Sequence, residues 1–526
     1  MNAKIIRYML ACLFIVQACY DDKGNYDYIR SNGVTIALNP VSKIAYLGEI
    51  YCYDPDITFT NVSDSVGFEY WWEYTGSSAA GGAYDTICKT RTLNFNPQET
   101  GEVWVRLCVK EQRTGVVTTS DILALNVQSS YGKGWMILGQ DNDRTTLSFV
   151  RPGYEETEEG KKRIYTPMVD LYEKIFPEQP LGTLPVGLRQ MLTWYDGAIM
   201  VLQKNSPLYL NGNSYKKEVL LDDEFVGGIP DQLEVKDFFN GTNVDIVLDK
   251  TGKMYVRNFM NVQGMYQALY TRDFTNIPSK YKGEELHIDR VIPTRPMYDY
   301  ICGLYDAENS RFLWAGVAYS ASVDVVIPSV MQTSASEYID LTDLDGWELV
   351  FCGTHTGGSA YGQPRFVAIF KKGDVVKAQT FTAKSSPSYY NASSVSIIDV
   401  TLRDFSGKKY ISENTKYYTL KTRGYMFFAE KNIVYWYDLT TGESYPFYTF
   451  ANENASVVAM SSNPQESELG VVLDDGVFAT LNIENDKLYS GERIYEKSGF
   501  GKVIDIDYKY PNYNVYNYRT NANNAD

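Results

Sequence analysis

Over residues 101–110 every second position is apolar: Val103, Val105, Leu107 and Val109 alternate with Trp104, Arg106, Cys108 and Lys110. A period of two is that of a strand with one face buried. Similar short runs lie at 34–38, 68–74, 84–88 and 120–127, with turn residues such as Thr114-Gly115 between them. From residue 131 onward the runs lengthen and hairpins recur. The candidates are 134–138 with 146–150, 192–210 around Asp196-Gly197, 244–248 with 253–257, 300–305 with 311–315, 347–351 with 364–370, 424–428 with 433–437, and 469–473 with 477–481. Asp, Asn and Gly stand at the turns, as in Asp249-Lys-Thr-Gly252 and Asp474-Asp-Gly476, where they accept positive φ.

The short strands predict an immunoglobulin-like β-sandwich over 31–129. Cys52, Trp71 or Trp72, and Cys108 follow the Cys…Trp…Cys order of immunoglobulin domains. The phase speaks against a Cys52–Cys108 disulfide, because Cys108 falls on the face opposite Val105 and Leu107. The seven hairpin units average roughly 54 residues each, a plausible period for an insertion-rich β-propeller of about seven blades over 130–510. The segment 502–507 is positioned to complete the first blade and close the ring, leaving only short, protected edges. A pair of β-sandwiches is the competing arrangement. The Asn/Tyr-rich tail, 511–526, is expected to fray.

The N-terminus changes the picture. Lys4 and Arg7 precede an apolar run at 8–16, too short for a membrane span, and Ala18-Cys19 follows. This reads as a signal peptide, 1–18, and Ala18-Cys19 resembles the lipobox of bacterial lipoproteins. Cys19 is then the lipidation site and 19–30 a lipidated tether. Asp21 and Asp22 resemble a surface-export signal of Bacteroidota lipoproteins. Five further cysteines remain after Cys12 and Cys19, an odd count that does not suggest a disulfide framework. The net charge of −16 argues against nucleic acid, whose phosphates need basic partners. The 44 Tyr suit strands, and a minority of them a ligand-contacting face.

Chemistry is sparse. The two histidines, His287 and His355, fall in different units, and no H-E-x-x-H, G-x-S-x-G or Walker pattern is present. The acidic runs Asp222-Asp223-Glu224, Asp343-Leu-Asp345 and Asp474-Asp475 read as turns and solvated loops. No catalytic residue, metal site or cofactor is assigned. The most suggestive segment is the glycine-rich 353–364, where His355, Tyr361 and Gln363 offer hydrogen bonds to a ligand.

Cys19-Tyr-Asp-Asp-Lys-Gly-Asn-Tyr-Asp-Tyr28, followed by one small β domain, resembles the PKD-like family lipoproteins of Bacteroidota. The WdFGDG turn of classical PKD domains is replaced by Trp72-Glu-Tyr-Thr-Gly76. The resemblance implies an all-β chain, with an immunoglobulin/PKD-like sandwich ahead of the propeller. It also implies a lipid-anchored, non-catalytic accessory protein on the outer-membrane surface. That protein would bind peptide or oligosaccharide for a TonB-dependent, SusC/SusD-type nutrient importer. The alternatives are a propeller-type hydrolase or lyase acting on a surface polymer, and a purely structural partner of the transporter.

Overall fold

The computed structural model describes residues 31–510 except 41, 61–66, 77–83, 158–159, 192–196, 242–243, 259–272, 295–298, 300, 317–325, 356–362 and 386–393. The expected signal peptide, tether and tail, and with them Cys19, Asp21 and Asp22, lie outside the described residues. The chain divides into two compact units, Met1–Gln128 and Ser129–Asp526.

The first unit is a sandwich. Its larger sheet runs in the order Ile44–Tyr46, Leu123–Gln128, Gly101–Glu111, Phe68–Gly76, Asp85–Cys88. Two short pairs, Val34–Ala37 with Asp56–Phe59 and Tyr51–Tyr53 with Leu93–Phe95, supply the facing layer. Trp72, Val105, Leu107, Val109 and Leu125 of the larger sheet meet Leu93 and Phe95 in the core. The indole N–H of Trp72 is satisfied by the Arg91 carbonyl at 3.0 Å, so the buried ring leaves no orphan donor. Cys108 does fall on the other face, opposite Trp71 in register, yet it too is buried. Cys52 is exposed on Tyr51–Tyr53, and Cys52, Cys88, Cys108, Cys302 and Cys352 are all free thiols.

Among the described residues, the second unit forms a propeller of seven blades. Blade 1, from the centre outwards, is Lys502–Lys509, Gly134–Asp141, Arg144–Thr157 and Gly160–Met168. Blade 2 is Thr183–Met191, Ala198–Asn205, Leu208–Asn211 and Lys217–Leu220; blade 3 has Val235–Asn240, Val244–Asp249 and Met254–Asn258. Blade 4 is Arg290–Ile292, Ile301–Asp306, Arg311–Gly316 and Val326–Met331, and blade 5 is Glu348–His355, Arg365–Lys372, Val375–Ser385 and Val395–Asp404. Blade 6 is Lys416–Thr419, Tyr425–Glu430, Ile433–Asp438 and Ser444–Thr449; blade 7 is Val457–Ser462, Glu468–Leu473, Phe478–Asn482 and Arg493–Lys497. All strand pairs within blades are antiparallel, as short hairpin connections require.

Several devices protect the sheet edges. In blade 3, Thr275 and Ser279 donate to the carbonyls of Val256 and Met254 where a fourth strand would pair. The outer strands of blades 4 and 5 pair with each other in parallel at Ser329–Met331. The ring closes as expected: Lys502–Lys509 pairs antiparallel with Gly134–Asp141, joining the two ends of the unit in one blade. Behind this seam Trp135, Val472, Phe478, Val503 and Tyr508 pack together from blades 1 and 7. Gly470 admits the Trp135 ring, which lies 2.5 Å from where a Cβ would stand.

Candidate functional site

The first strands of neighbouring blades lie side by side around the axis, and each junction carries a polar tie. Between blades 1 and 2, Asp505 accepts from the Leu188 N–H at 2.9 Å and from the Arg189 guanidinium at 3.2 Å. Arg189 also holds Asp237 of blade 3 at 2.8 Å. Lys236 pairs with Asp289, at the entrance to blade 4, at 3.1 Å. Arg290 then donates to the Val350 carbonyl of blade 5. The Thr419 hydroxyl donates to the Thr354 carbonyl at 2.8 Å, joining blades 6 and 5. Tyr418 and Ser462 share a hydrogen bond of 3.0 Å, and Ser461 donates to Asp507 at 3.2 Å, completing the circuit from blade 6 through 7 to 1.

The axial charges are crowded together yet reachable by solvent. The Arg189 side chain keeps 40% of its surface open to solvent, Asp237 30% and Asp505 21%. The Asp237 carboxylate, with Asp505 behind it, holds the Arg189 guanidinium firmly protonated. Burial raises the Asp505 carboxyl above its usual range, opposed by the Arg189 charge and by the N–H groups of Leu188 and Ile506. Each of these charges faces an opposite charge on another blade. These contacts tie the first strands of blades 1, 2 and 3 together.

The segment singled out from sequence lies at one end of the innermost strand of blade 5. His355 is the last residue of Glu348–His355 and stands opposite Arg365 in register. Gln363 is half-buried just before Arg365–Lys372, and Tyr361 lies outside the described residues. Burial, and then the charge of Arg365, drive the His355 imidazole down to about 4, with the Phe366 backbone opposing. Neither ring nitrogen makes a well-formed hydrogen bond among the described residues. A neutral imidazole of this kind can give or accept a hydrogen bond to a ligand. Among the described residues, no carboxylate is placed to orient it and stabilise its cation. His287 stands elsewhere, exposed and 3.8 Å from Glu308.

One acidic run departs from its expected place in a solvated loop. Glu224 is buried against Arg257, which also holds Asp245 at 2.7 Å and lies 4.5 Å from the centre of the Phe274 ring. Asn240 donates to the same Asp245 carboxylate at 2.7 Å. The axial charges Arg189, Lys236, Asp237, Asp289, Arg290, Asp505 and Asp507 were not singled out from sequence either. For Asp505 and Asp507 a signal was present, since each is a charge alternating with apolar residues in Val503-Ile-Asp-Ile-Asp507.

Among solved structures, the chain is similar to a quinonprotein alcohol dehydrogenase-like protein from Bacteroides thetaiotaomicron. That match has 12% identity over 90% of this chain and 97% of the other, with a TM-score of 0.41. It is also similar to the Cps50 (Swd1) β-propeller domain of Myceliophteria thermophila, at 9% identity over 62% and 90% of the two chains and a TM-score of 0.37. Sqt1 of Saccharomyces cerevisiae matches at 10% identity over 62% and 80%, with a TM-score of 0.35. The propeller assignment rests on the strand order above. No curated protein matches the chain. Residues 19–181, which hold the whole sandwich and the first outer strands of the ring, match the model of the PKD-like family.

Proposed function

We propose that this protein is a lipid-anchored lipoprotein of the outer-membrane surface, tethered through Cys19, which captures ligand without transforming it. It would deliver peptide or oligosaccharide to a TonB-dependent importer of the SusC/SusD type. The N-terminal pattern from Lys4 to Asp22 supports the location. The observation that carries the non-catalytic half is the pairing of axial charges from blade to blade, beside an unoriented, neutral His355.

A membrane pull-down tests this reading. Full-length protein isolated from its own membranes should bring down a TonB-dependent transporter and its lipoprotein lid. Cys19→Ala should release the protein from the membrane fraction and lose that partner. Recovery of the wild type in the soluble fraction, or turnover of a polymer by the pure protein, would overturn it.

A further inference from the structure

On the solvent side of a sandwich sheet, side chains are ordinarily polar. The larger sheet of the first unit departs from this. Trp71 and Glu73 alternate with the core residue Trp72, and Trp104 and Arg106 alternate with Val105 and Leu107, so these four share the outward face. Both indoles are half-buried. Trp71 donates its N–H to Glu73 and Trp104 to Glu102, each at 2.8 Å. Each indole N–H is thus satisfied by a carboxylate two residues along its own strand, which leaves the exposed part of the ring for apolar contact. Between the two rings the Arg106 guanidinium is held by Glu73 at 2.8 Å, and its centre lies 3.8 Å from the centre of the Tyr84 ring.

Register fixes the spacing. Trp71 lies opposite Cys108, Glu73 opposite Arg106, and Thr75 opposite Trp104. The two indoles are therefore four residues apart along the strands, roughly 13 Å at about 3.3 Å per residue. The face thus presents an aromatic plate, a polar station and a second plate. Glu69, Glu73 and Glu102 face Arg106 and Lys110, so the charges nearly cancel and a strongly charged ligand is not selected. A sugar chain has the complementary chemistry, with apolar C–H faces for the rings and hydroxyls for the carboxylates and guanidinium. An extended peptide adds to a sheet edge, whereas Trp71, Glu73, Trp104 and Arg106 lie on two interior strands.

We propose that this face, built on Trp71, Tyr84, Trp104 and Arg106, is a binding platform for neutral oligosaccharides. The proposal deepens the capture role above and rests on it only for why cargo is held. The test is titration of the full-length, detergent-solubilised protein with neutral cello-, xylo- and manno-oligosaccharides and with casein-derived peptides. Tryptophan emission and calorimetry would be read together. At least one oligosaccharide should bind and quench emission. Trp71→Ala and Trp104→Ala should each weaken binding tenfold or more with the melting temperature unchanged. Trp104→Phe, which keeps a stacking ring, should restore part of it, and Tyr489→Ala on an exposed aromatic elsewhere should have no effect. Absence of any oligosaccharide binding, binding by both Trp variants as tight as by the wild type, or peptide binding at this face would overturn the platform. Capture abolished by His355→Ala but untouched by Trp104→Ala would also overturn it, while leaving the capture role standing.

Discussion

At the residue scale, two buried ionisable groups give the fold a pH dependence that can be worked out in sign. His355 has its pKa lowered from 6.5 to about 4, so between these values the unfolded chain holds a proton that the folded one does not. Its contribution to stability is therefore complete above pH 6.5 and is lost as the pH falls toward 4, by up to about 3 kcal/mol. Denaturant titrations of the wild type and His355→Gln should diverge across that window, and parallel curves would contradict it. Lys509 is buried at the end of the closing strand, where its ammonium donates to the Gly132 carbonyl at 2.9 Å. Burial alone lowers it from 10.5 to about 7. Here the unfolded state holds the extra proton from pH 7 to 10.5, so stability rises across that range. Lys509→Met should remove the slope and raise the melting temperature at pH 7; a lower melting temperature would show that the charge is needed for closure.

At the element scale, the sequence made the paired strands readable and concealed those on either side. Most of the expected hairpins are the second and third strands of a blade, buried on both faces and joined by Asp- and Gly-bearing turns. Asp249 shows why: its carboxylate accepts from the N–H groups of Thr251 and Lys253 at 2.8 Å, and Gly252 takes φ 86°. The expected pair at 347–370 is out of phase with the rest, because it takes in the first strand of its blade, whereas 192–210 holds the second and third strands of blade 2, both beyond the expected turn at Asp196-Gly197. First strands such as Val235–Asn240 carry the axial charges, and outer strands such as Lys217–Leu220 are half-exposed, so neither shows a clean period. Of the candidate site, His355 and Gln363 were legible as hydrogen-bonding residues near glycines. The axial pairs were not, since only the ring brings Arg189 to Asp505.

The seam between blades 7 and 1 also has a measurable weak point. Gly470→Ala would drive a methyl group into the Trp135 ring, and overpacking of this kind costs about 1–3 kcal/mol. Arg163 and Tyr165 of blade 1 both reach Glu468 of blade 7, which is 1% exposed. Arg163→Ala leaves that carboxylate buried without its cation and should destabilise by about 3–5 kcal/mol in urea unfolding. A change below 1 kcal/mol would mean that Glu468 is protonated in the folded state.

At the scale of the whole molecule, closure by the last strand makes ring integrity depend on residues far apart in the chain. Truncation after Lys497 removes Lys502–Lys509 and strips the inner edge from Gly134–Asp141. The propeller should then lose cooperative unfolding, read as a broadened calorimetric transition, while the sandwich, with its own core, keeps its own. An unchanged sharp transition for the propeller would show that the ring does not need the strand.

Capture at a cell surface requires that the protein be held there, and in the proposed function one sulfur atom, that of Cys19, does so. Mass spectrometry of the N-terminal tryptic peptide from the membrane fraction addresses this directly. The expected peptide begins at Cys19, lacks residues 1–18 and carries a diacylglyceryl group on the thiol. A peptide beginning at Met1, or an unmodified Cys19 thiol in a soluble protein, would contradict the account.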